Sequence, residues 1–336
     1  MVKSSDKIPA KVFAAIVATG LMSFCGVIVE TSMNIAFPTL MREFGVSTNV
    51  ISWMTSIYLL AISIIVPISA ILKSSYKTKN LFLTANVLFL LGLIVDAIAP
   101  SFVFLLLGRV IQGIATGIAL PLMFNIILEQ VPKSKIGTMM GVGNLITGAA
   151  PALGPTFGGI IINNLGWRWV FYLLIPFIII SLLLGLWGIQ QKSELVKQKI
   201  DVPSFLLIAI FFSGAIYGFS NLSSGNILEI VLPLIFVVIA AILLVRRTKS
   251  LEHPLLKLDL LKNKYFAATV LGFFLIQMIS LGNAFLLPNY IQLTNNSTAM
   301  TAGLLVLPAG AVGAIMGPIG GNLLDKHGAR NVTLAG

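Results

Sequence analysis

Charged residues are scarce in this sequence, and their scarcity excludes a soluble protein. Only 10% of the 336 residues are Asp, Glu, Lys or Arg, whereas 57% are hydrophobic and the mean hydropathy is +0.99. Soluble domains carry roughly 25% charged residues. Because a water-facing surface cannot be built from so few charges, lipid must cover much of the folded chain.

Cysteine and histidine are almost absent as well. Cys25 is the only cysteine, so neither a disulfide nor a thiolate metal site can form within one chain. The two histidines, His253 and His327, fall in predicted loops, and the sequence predicts no metal site. No catalytic nucleophile or phosphate-binding loop occurs in a water-facing segment, so we expect neither an enzyme nor a cofactor.

Long apolar runs predict an all-α integral membrane protein. Ten runs approach the ~20 residues that cross a membrane as a helix, the form in which lipid leaves no backbone amide unbonded. The first resembles a signal peptide, but it is about 22 residues long and precedes no small-residue cleavage site, so we interpret it as a span. An eleventh run begins at Asn331. The ten predicted spans are 12–34, 51–72, 81–98, 102–124, 137–162, 167–189, 203–221, 227–246, 266–290 and 300–323.

The basic residues predict the orientation. With the N-terminus in the cytoplasm, 19 of the 22 Lys and Arg residues lie on the inner side. The outer loops hold Arg42 and Arg168, and Arg109 lies within a span. This asymmetry is typical of bacterial membrane proteins and accounts for the net charge of +11 without a nucleic-acid partner.

Two long inner loops, 190–202 and 247–265, divide the chain. They predict an N-terminal six-helix bundle over 1–190, two linking transmembrane helices over 191–250, and part of a C-terminal bundle over 251–336. Short connections elsewhere favour antiparallel neighbours.

Span 1 carries a polar stripe that includes Glu30 and Asn34. A charged side chain in a membrane helix costs about 2.5–3.5 kcal/mol or more, so Glu30 is expected to face a cavity or a partner and to carry a proton. The alternative is a structural acid near the outer interface.

Span 4 places Arg109, Gln112 and Thr116 on one face. Arginine does not deprotonate, so Arg109 is expected to hold a carboxylate or to bias a nearby proton site. Glu30 and Asp96 both lie in the outer halves of their spans and are its candidate partners. The alternatives are a purely structural ion pair and an Asp96 that reaches the headgroups.

Span 5 presents a face without bulky side chains, which suits a helix that slides or rocks against a partner. The alternative is static packing. Asn144 lies on this face, and Tyr217 lies on a polar stripe of span 7. Together with Asn34, Gln112 and Thr116, they are the candidate residues of the substrate cavity. The whole span-5 face consists of Gly137, Gly141, Asn144, Gly148, Pro151, Pro155 and Gly158.

These segments together resemble the major facilitator superfamily, above all its fourteen-span drug:proton antiporters of the EmrB/QacA type. The segments that carry the resemblance are ETSMNIAFP (Glu30–Pro38), LGRVIQGIATGIALP (Leu107–Pro121), GAAPALGPTFGG (Gly148–Gly159), WRWVFYLLIP (Trp167–Pro176) and LPAGAVGAIMGPIGGNLLDKHGAR (Leu307–Arg330).

The resemblance implies two six-helix bundles with two extra spans between them, and proton-driven export by rocking of the bundles around a midplane cavity. Arg109 would be the arginine of the family's span-4 motif. The exporter motif would be Gly154, Pro155, Gly158 and Gly159. The inner-loop gating motif of the second half would be Gly321, Asp325, Gly328 and Arg330.

Three departures qualify the resemblance. The first-half gating loop has Ser74 and Lys77 in place of the family's acid and glycine, as in the lincosamide-efflux branch. Glu30 stands one position after the aspartate of many relatives, where this chain has Val29. The chain ends as span 11 begins, which predicts a C-terminally truncated relative.

The sequence thus predicts a monomeric, multi-pass protein of the bacterial plasma membrane that exchanges protons for lipophilic drugs across the lipid bilayer. The proton gradient, rather than a cofactor, would drive it. Two alternatives remain open: an importer of one small solute, and a truncated relative that does not transport.

Overall fold

A computed structural model describes residues 7–222, 226–251, 254–294 and 297–335. Ten of its helices are long and apolar enough to cross a membrane, which confirms the ten predicted spans. Only α2 is short. The helices are α1 (Ala10–Ile35), α2 (Phe37–Phe44), α3 (Thr48–Ser75), α4 (Thr78–Ala97), α5 (Phe102–Gln130), α6 (Ile136–Asn164), α7 (Arg168–Gly188), α8 (Val202–Ser220), α9 (Ile227–Ser250), α10 (Lys264–Thr294) and α11 (Ala299–Ala335).

The first bundle is built around α1, which packs against α5, α6 and α7, while α4 fills the space between α5 and α7. Small residues such as Ala15, Ala18 and Gly26 let its neighbours approach closely, and all three are buried. Met22 and Met33 fill the gaps between them at zero exposure. We call the end of the bundle where α1 begins the inner end, and the opposite end the outer end.

The linking helices α8 and α9 pack against each other, and α8 also contacts α3 on the outside of the first bundle. Most of their large apolar side chains are exposed, as expected of helices that face lipid. α11 lies along α6, and α10 packs against α11.

The helix α11 extends further than the sequence predicted. The segment after 323 was expected to be a loop, but the helix continues to Gly328, where φ of +74° and ψ of 165° interrupt it. Glycine tolerates this conformation because it has no Cβ. His327, predicted in a loop, therefore lies in the helix, and His253 lies outside the described residues.

A linker crosses the inner end of the first bundle. The backbone amide of Val196 donates to the carbonyl of Ser74 at 2.9 Å, and the amide of Thr78 donates to Oε1 of Gln191 at 2.8 Å. Ser75 and Gln198 exchange two further hydrogen bonds. The loop that lacks the gating acid is thus covered by residues 191–198.

Glu43 closes the outer end. Its carboxylate accepts hydrogen bonds from Nε1 of Trp167 at 2.7 Å and from Nη1 of Arg168 at 2.8 Å. Nη2 of Arg168 donates to the carbonyl of Ala99 at 2.9 Å. Burial raises the pKa of Glu43 and these hydrogen bonds lower it; the net direction is downward.

We expect Glu43→Ala to reduce the free energy of unfolding by about 1 kcal/mol, because it removes a partner of Trp167 and a half-exposed ion pair. The lowered pKa means that this contribution is present above the ordinary pKa of about 4.3 and is lost as the pH falls through the folded value. Thermal unfolding of both proteins from pH 7 to pH 3 tests this. A difference that persists unchanged at pH 3 contradicts the assignment, and Glu43→Gln, which keeps one acceptor, should lose less.

Candidate functional site

The site begins with Arg109, the largest fully buried side chain among the described residues. Its Nε donates to the carbonyl of Met54 at 3.2 Å, and its Nη1 donates to Oε1 of Gln112 at 2.9 Å. The guanidinium carbon lies 4.3 Å from the centroid of the Tyr58 ring, a cation–π contact. Helices α3 and α5 therefore fix a permanent positive charge inside the bundle.

Two carboxyl groups lie within electrostatic range of this guanidinium, those of Glu30 and Asp96. Asp96 is fully buried, and its carboxyl group occupies the space that a Cβ on Gly108 would take. Glu30 is half-buried. No carboxylate forms a direct ion pair with Arg109 in the described part of the chain, so the predicted attraction acts over a longer distance.

Several buried polar atoms of this cluster have no hydrogen-bond partner in the described structure. They are both carboxyl oxygens of Asp96, Nη2 of Arg109 and Nε2 of Gln112. The Gln112 amide faces Asp96 without forming a hydrogen bond of good geometry. An unsatisfied buried polar group costs about 1–3 kcal/mol, and such groups concentrate where proteins bind protons or ligands.

Tyr58 and Thr116 connect the cluster to α1. The Tyr58 hydroxyl donates to Oγ1 of Thr116 at 3.1 Å. A Cβ on Gly26 would lie 2.8 Å from Thr116 Oγ1 and 2.9 Å from the Tyr58 hydroxyl, so α1 touches this pair through its backbone. We name Glu30, Tyr58, Asp96, Arg109, Gln112 and Thr116 the polar cluster.

Asn34 lies one turn beyond Glu30, where its Oδ1 accepts a hydrogen bond from Thr55 at 2.7 Å. Sequence reasoning placed Asn34 in the site but missed Thr55 and Tyr58. These two occur at i and i+3 in span 2, and that polar spacing in an apolar helix was the available signal.

The exporter motif packs against α1 immediately after Glu30. A Cβ on Gly158 would lie 2.8 Å from both Cα and the carbonyl oxygen of Ser32, and one on Gly154 would collide with Thr31. Ser32 Oγ donates to the carbonyl of Gly154 at 2.8 Å. Gly159 and Pro155, the other two residues of the motif, are buried in α6.

The inner half of α6 contacts a different partner. A Cβ on Gly141 would lie 2.6 Å from the carbonyl oxygen of Gly317 and 2.9 Å from Cα of Pro318. Gly321 lies against the carbonyl of Gly137. The face that was predicted to meet one partner therefore divides between α1 and α11.

Asn144 and Gly148 are exposed between these two contacts. Among the gating residues, Gly321 packs on α6 and Gly328 interrupts α11, while the side chains of Asp325 and Arg330 lie outside the described residues.

Tyr217 is not part of the polar cluster. It is 41% exposed, and its ring lies 6.2 Å from that of Trp53 on the outside of the first bundle. The polar stripe of span 7 shows that Tyr217 faces one side of its own helix. The sequence does not show which neighbouring helix lies on that side.

An apolar cavity of about 330 Å³ lies between α1, α6 and α7, next to the motif contact. Its walls include Phe24, Phe157, the buried Cys25 and the exposed Phe177. The hydroxyl of Thr156, which also lines it, has no hydrogen-bond partner in the described structure. The cavity can hold an uncharged lipophilic group.

The family model of the Major Facilitator Superfamily matches residues 19–336. The chain belongs to the major facilitator superfamily. Superfamily members are membrane transporters, which confirms that the protein is a multi-pass transporter and not an enzyme. The fold class predicted from the sequence is confirmed with it.

Curated relatives within the superfamily match over nearly the whole chain. The lincomycin resistance protein LmrB of Bacillus subtilis is 37% identical over 97% of this chain and 69% of its own length. LmrB of Listeria monocytogenes is also 37% identical, over 96% of this chain and 69% of its own length. Multidrug resistance protein 3 of Bacillus subtilis is 31% identical over 91% of this chain and 60% of its own length.

Solved transporters share the fold. A bacterial homolog of the human lysosomal transporter Spinster, in an inward-facing and unoccupied conformation, has a TM-score of 0.50 at 14% identity and covers 97% of both chains. A D-xylose–proton symporter has the same TM-score and identity over 92% of this chain and 80% of its own. At this identity the likeness establishes the fold alone.

Proposed function

We propose that the protein exports lipophilic drugs or similar compounds from bacterial cells in exchange for protons, as an antiporter of the plasma membrane. The observation that carries this proposal is the buried Arg109 guanidinium with two carboxyl groups in its field. Charges inside a membrane bundle are expensive, and a transporter retains them where ions or substrates pass.

The geometry supports a specific coupling route. Glu30 is half-buried and is the more accessible carboxyl, so it takes up and releases the proton. Ionised Glu30 is attracted to Arg109, and protonation removes that attraction. Because Gly154 and Gly158 hold α6 directly on the next turn of α1, a shift of α1 passes to α6 and from there to α11.

The proposed substrate class rests on two observations. The similar curated proteins are named for resistance to lincomycin or to multiple drugs. The cavity next to the contact between the exporter motif and α1 is lined mainly by aromatic and aliphatic groups. The Thr156 hydroxyl in its wall can form a hydrogen bond. A nutrient importer would need several convergent polar groups for stereospecific binding, and a growth requirement relieved by one solute would favour that alternative.

We expect Glu30→Gln to reduce uncoupler-sensitive efflux of a lipophilic dye to near background. The amide keeps the size of the side chain but cannot release a proton at physiological pH. Downhill dye exchange without a proton gradient should persist, because the cavity is unchanged. Dye efflux from energised cells and proton release from substrate-loaded proteoliposomes measure the two properties separately.

The matched control is Glu194→Gln, an exposed acid in the inner linker. It should keep full efflux and full sensitivity to uncoupler. If Glu30→Gln kept uncoupler-sensitive efflux at the level of the control, another group would have to carry the proton. That result would contradict the route through Glu30.

We also propose that the N-terminus is cytoplasmic and that the functional transporter is a monomer of the fourteen-span type, with α8 and α9 as the extra spans. Cys25 is buried, so a new surface cysteine reports orientation without interference from it. Lys133→Cys, in an exposed inner loop, should react with a membrane-impermeant maleimide in inside-out vesicles and remain unlabelled in intact cells. Labelling in intact cells would show that this loop faces the outside, and the proposed orientation would be wrong.

A further inference from the structure

A groove at the inner end of α8 and α9 is separate from the polar cluster. It measures about 520 Å³ and combines leucine side chains with two arginines. The leucines are Leu206, Leu207 and Leu243, and the arginines are Arg246 and Arg247. One wall is therefore aliphatic, and the rim carries positive charge.

Asp201 fixes the position of Arg247. Its two carboxylate oxygens accept hydrogen bonds from Nε and Nη2 of Arg247 at 2.7 and 2.6 Å. Oδ2 also accepts from the backbone amide of Ser204 at 3.1 Å, which caps α8. The pair to Arg247 holds the pKa of Asp201 well below its usual range, so the carboxylate is ionised at neutral pH.

Arg246 is exposed and forms no ion pair with a described residue. The pair with Asp201 also leaves Nη1 of Arg247 without a hydrogen bond to described residues. Guanidinium donors thus remain at the rim, directly beside an aliphatic surface.

The segment that begins at the two arginines of the groove is net positive. Residues 246–264 contain six Lys and Arg residues and two acids, Glu252 and Asp259, for a net charge of +4. Asp259 pairs with Lys262 at 2.6 Å, so it does not neutralise Arg246. Basic grooves between transmembrane helices near the membrane surface favour anionic lipid headgroups.

We propose that this groove binds an anionic phospholipid such as phosphatidylglycerol. The phosphate accepts hydrogen bonds from Arg246 and from Nη1 of Arg247, and an acyl chain lies along Leu206, Leu207 and Leu243. A free inorganic anion would use only the polar rim, whereas a zwitterionic lipid would bring its own cation to a basic site. The site does not depend on transport and would stand if efflux were absent.

The test is native mass spectrometry of the purified protein titrated with phosphatidylglycerol or phosphatidylcholine. Arg246→Gln should weaken phosphatidylglycerol binding about fivefold, which corresponds to the contribution of about one basic residue at a membrane surface. Leu207→Trp fills the aliphatic part without changing charge and should weaken binding by a similar factor. Lys133→Gln, an exposed basic residue of another inner loop, is the control and should bind as the unaltered protein does.

Three results would overturn the proposal. Equal weakening by Lys133→Gln and Arg246→Gln would indicate general charge attraction. Unchanged binding in Leu207→Trp would remove the acyl chain from the groove, and displacement of the lipid by millimolar inorganic phosphate would reduce the groove to an anion site. Thermal unfolding of each variant in phosphatidylcholine confirms that the comparison is between folded proteins.

Discussion

Arg109→Ala is expected to reduce dye efflux to background while the protein still inserts into the membrane. The substitution removes hydrogen bonds to Met54 and Gln112 and the cation over Tyr58. It also leaves Asp96 and Glu30 without the positive charge in whose field they lie. Hydrogen bonds to charged groups contribute about 1.5–3 kcal/mol each, so the loss of even one of them changes an equilibrium by roughly tenfold or more.

Arg109→Lys distinguishes charge from geometry. Lysine retains the cation but presents one ammonium group in place of the planar fork, so it cannot reproduce both hydrogen bonds and the stacking on Tyr58. We expect partial recovery at best. Arg42→Ala is the control, because that arginine is exposed and bonds to its own helix at the Pro38 carbonyl. Efflux in Arg109→Ala equal to that of the control, at matched membrane levels, would show that the buried charge has no part in transport.

Gly158→Val should have the second largest effect. The new Cβ would lie 2.8 Å from Cα and the carbonyl oxygen of Ser32, and a backbone cannot yield as a flexible side chain can. α1 must then move away from α6 beside Glu30. We expect a loss of about 1–3 kcal/mol in the free energy of unfolding, typical of overpacking, together with loss of efflux in the protein that remains folded.

Gly148→Val on the same helix provides the control, because a Cβ there meets no atom within 4 Å. Both substitutions carry the same cost in helix propensity, so the difference between them isolates the contact with α1. Thermal unfolding in detergent and dye efflux at matched expression measure the two effects. Equal stability and efflux in the two variants would mean that the close approach of α1 and α6 is dispensable.

The sequence predicted the spans because lipid imposes one simple rule, that a run of about 20 apolar residues must be helical. It predicted Arg109 for the same reason: a guanidinium within such a run requires an explanation. It did not predict Tyr58, since an aromatic residue in an apolar span is equally consistent with packing. The cation–π contact depends on how α3 and α5 are placed relative to each other.

The divided face of α6 shows a second limit. Gly158 comes seventeen positions after Gly141, so their directions around the axis of α6 differ by about 100°, although both belong to the predicted face. Gly137 and Gly141 meet α11, whereas Gly154 and Gly158 meet α1, and periodicity does not identify the helix that each direction meets. The same limit applies to Tyr217, whose stripe meets the outer wall of the first bundle at Trp53.

The linker at the inner end attaches helices α8 and α9 to the first bundle. Hydrogen bonds hold residues 191–198 to the loop between α3 and α4, and Asp201 joins the start of α8 to α9. Residues 199–201 between these points extend at most about 10 Å. Because this tether is so short, we expect the α8–α9 pair to move together with the first bundle. In the proposed rocking mechanism, displacement of α10 and α11 relative to the first bundle is then expected to be taken up between α9 and α10.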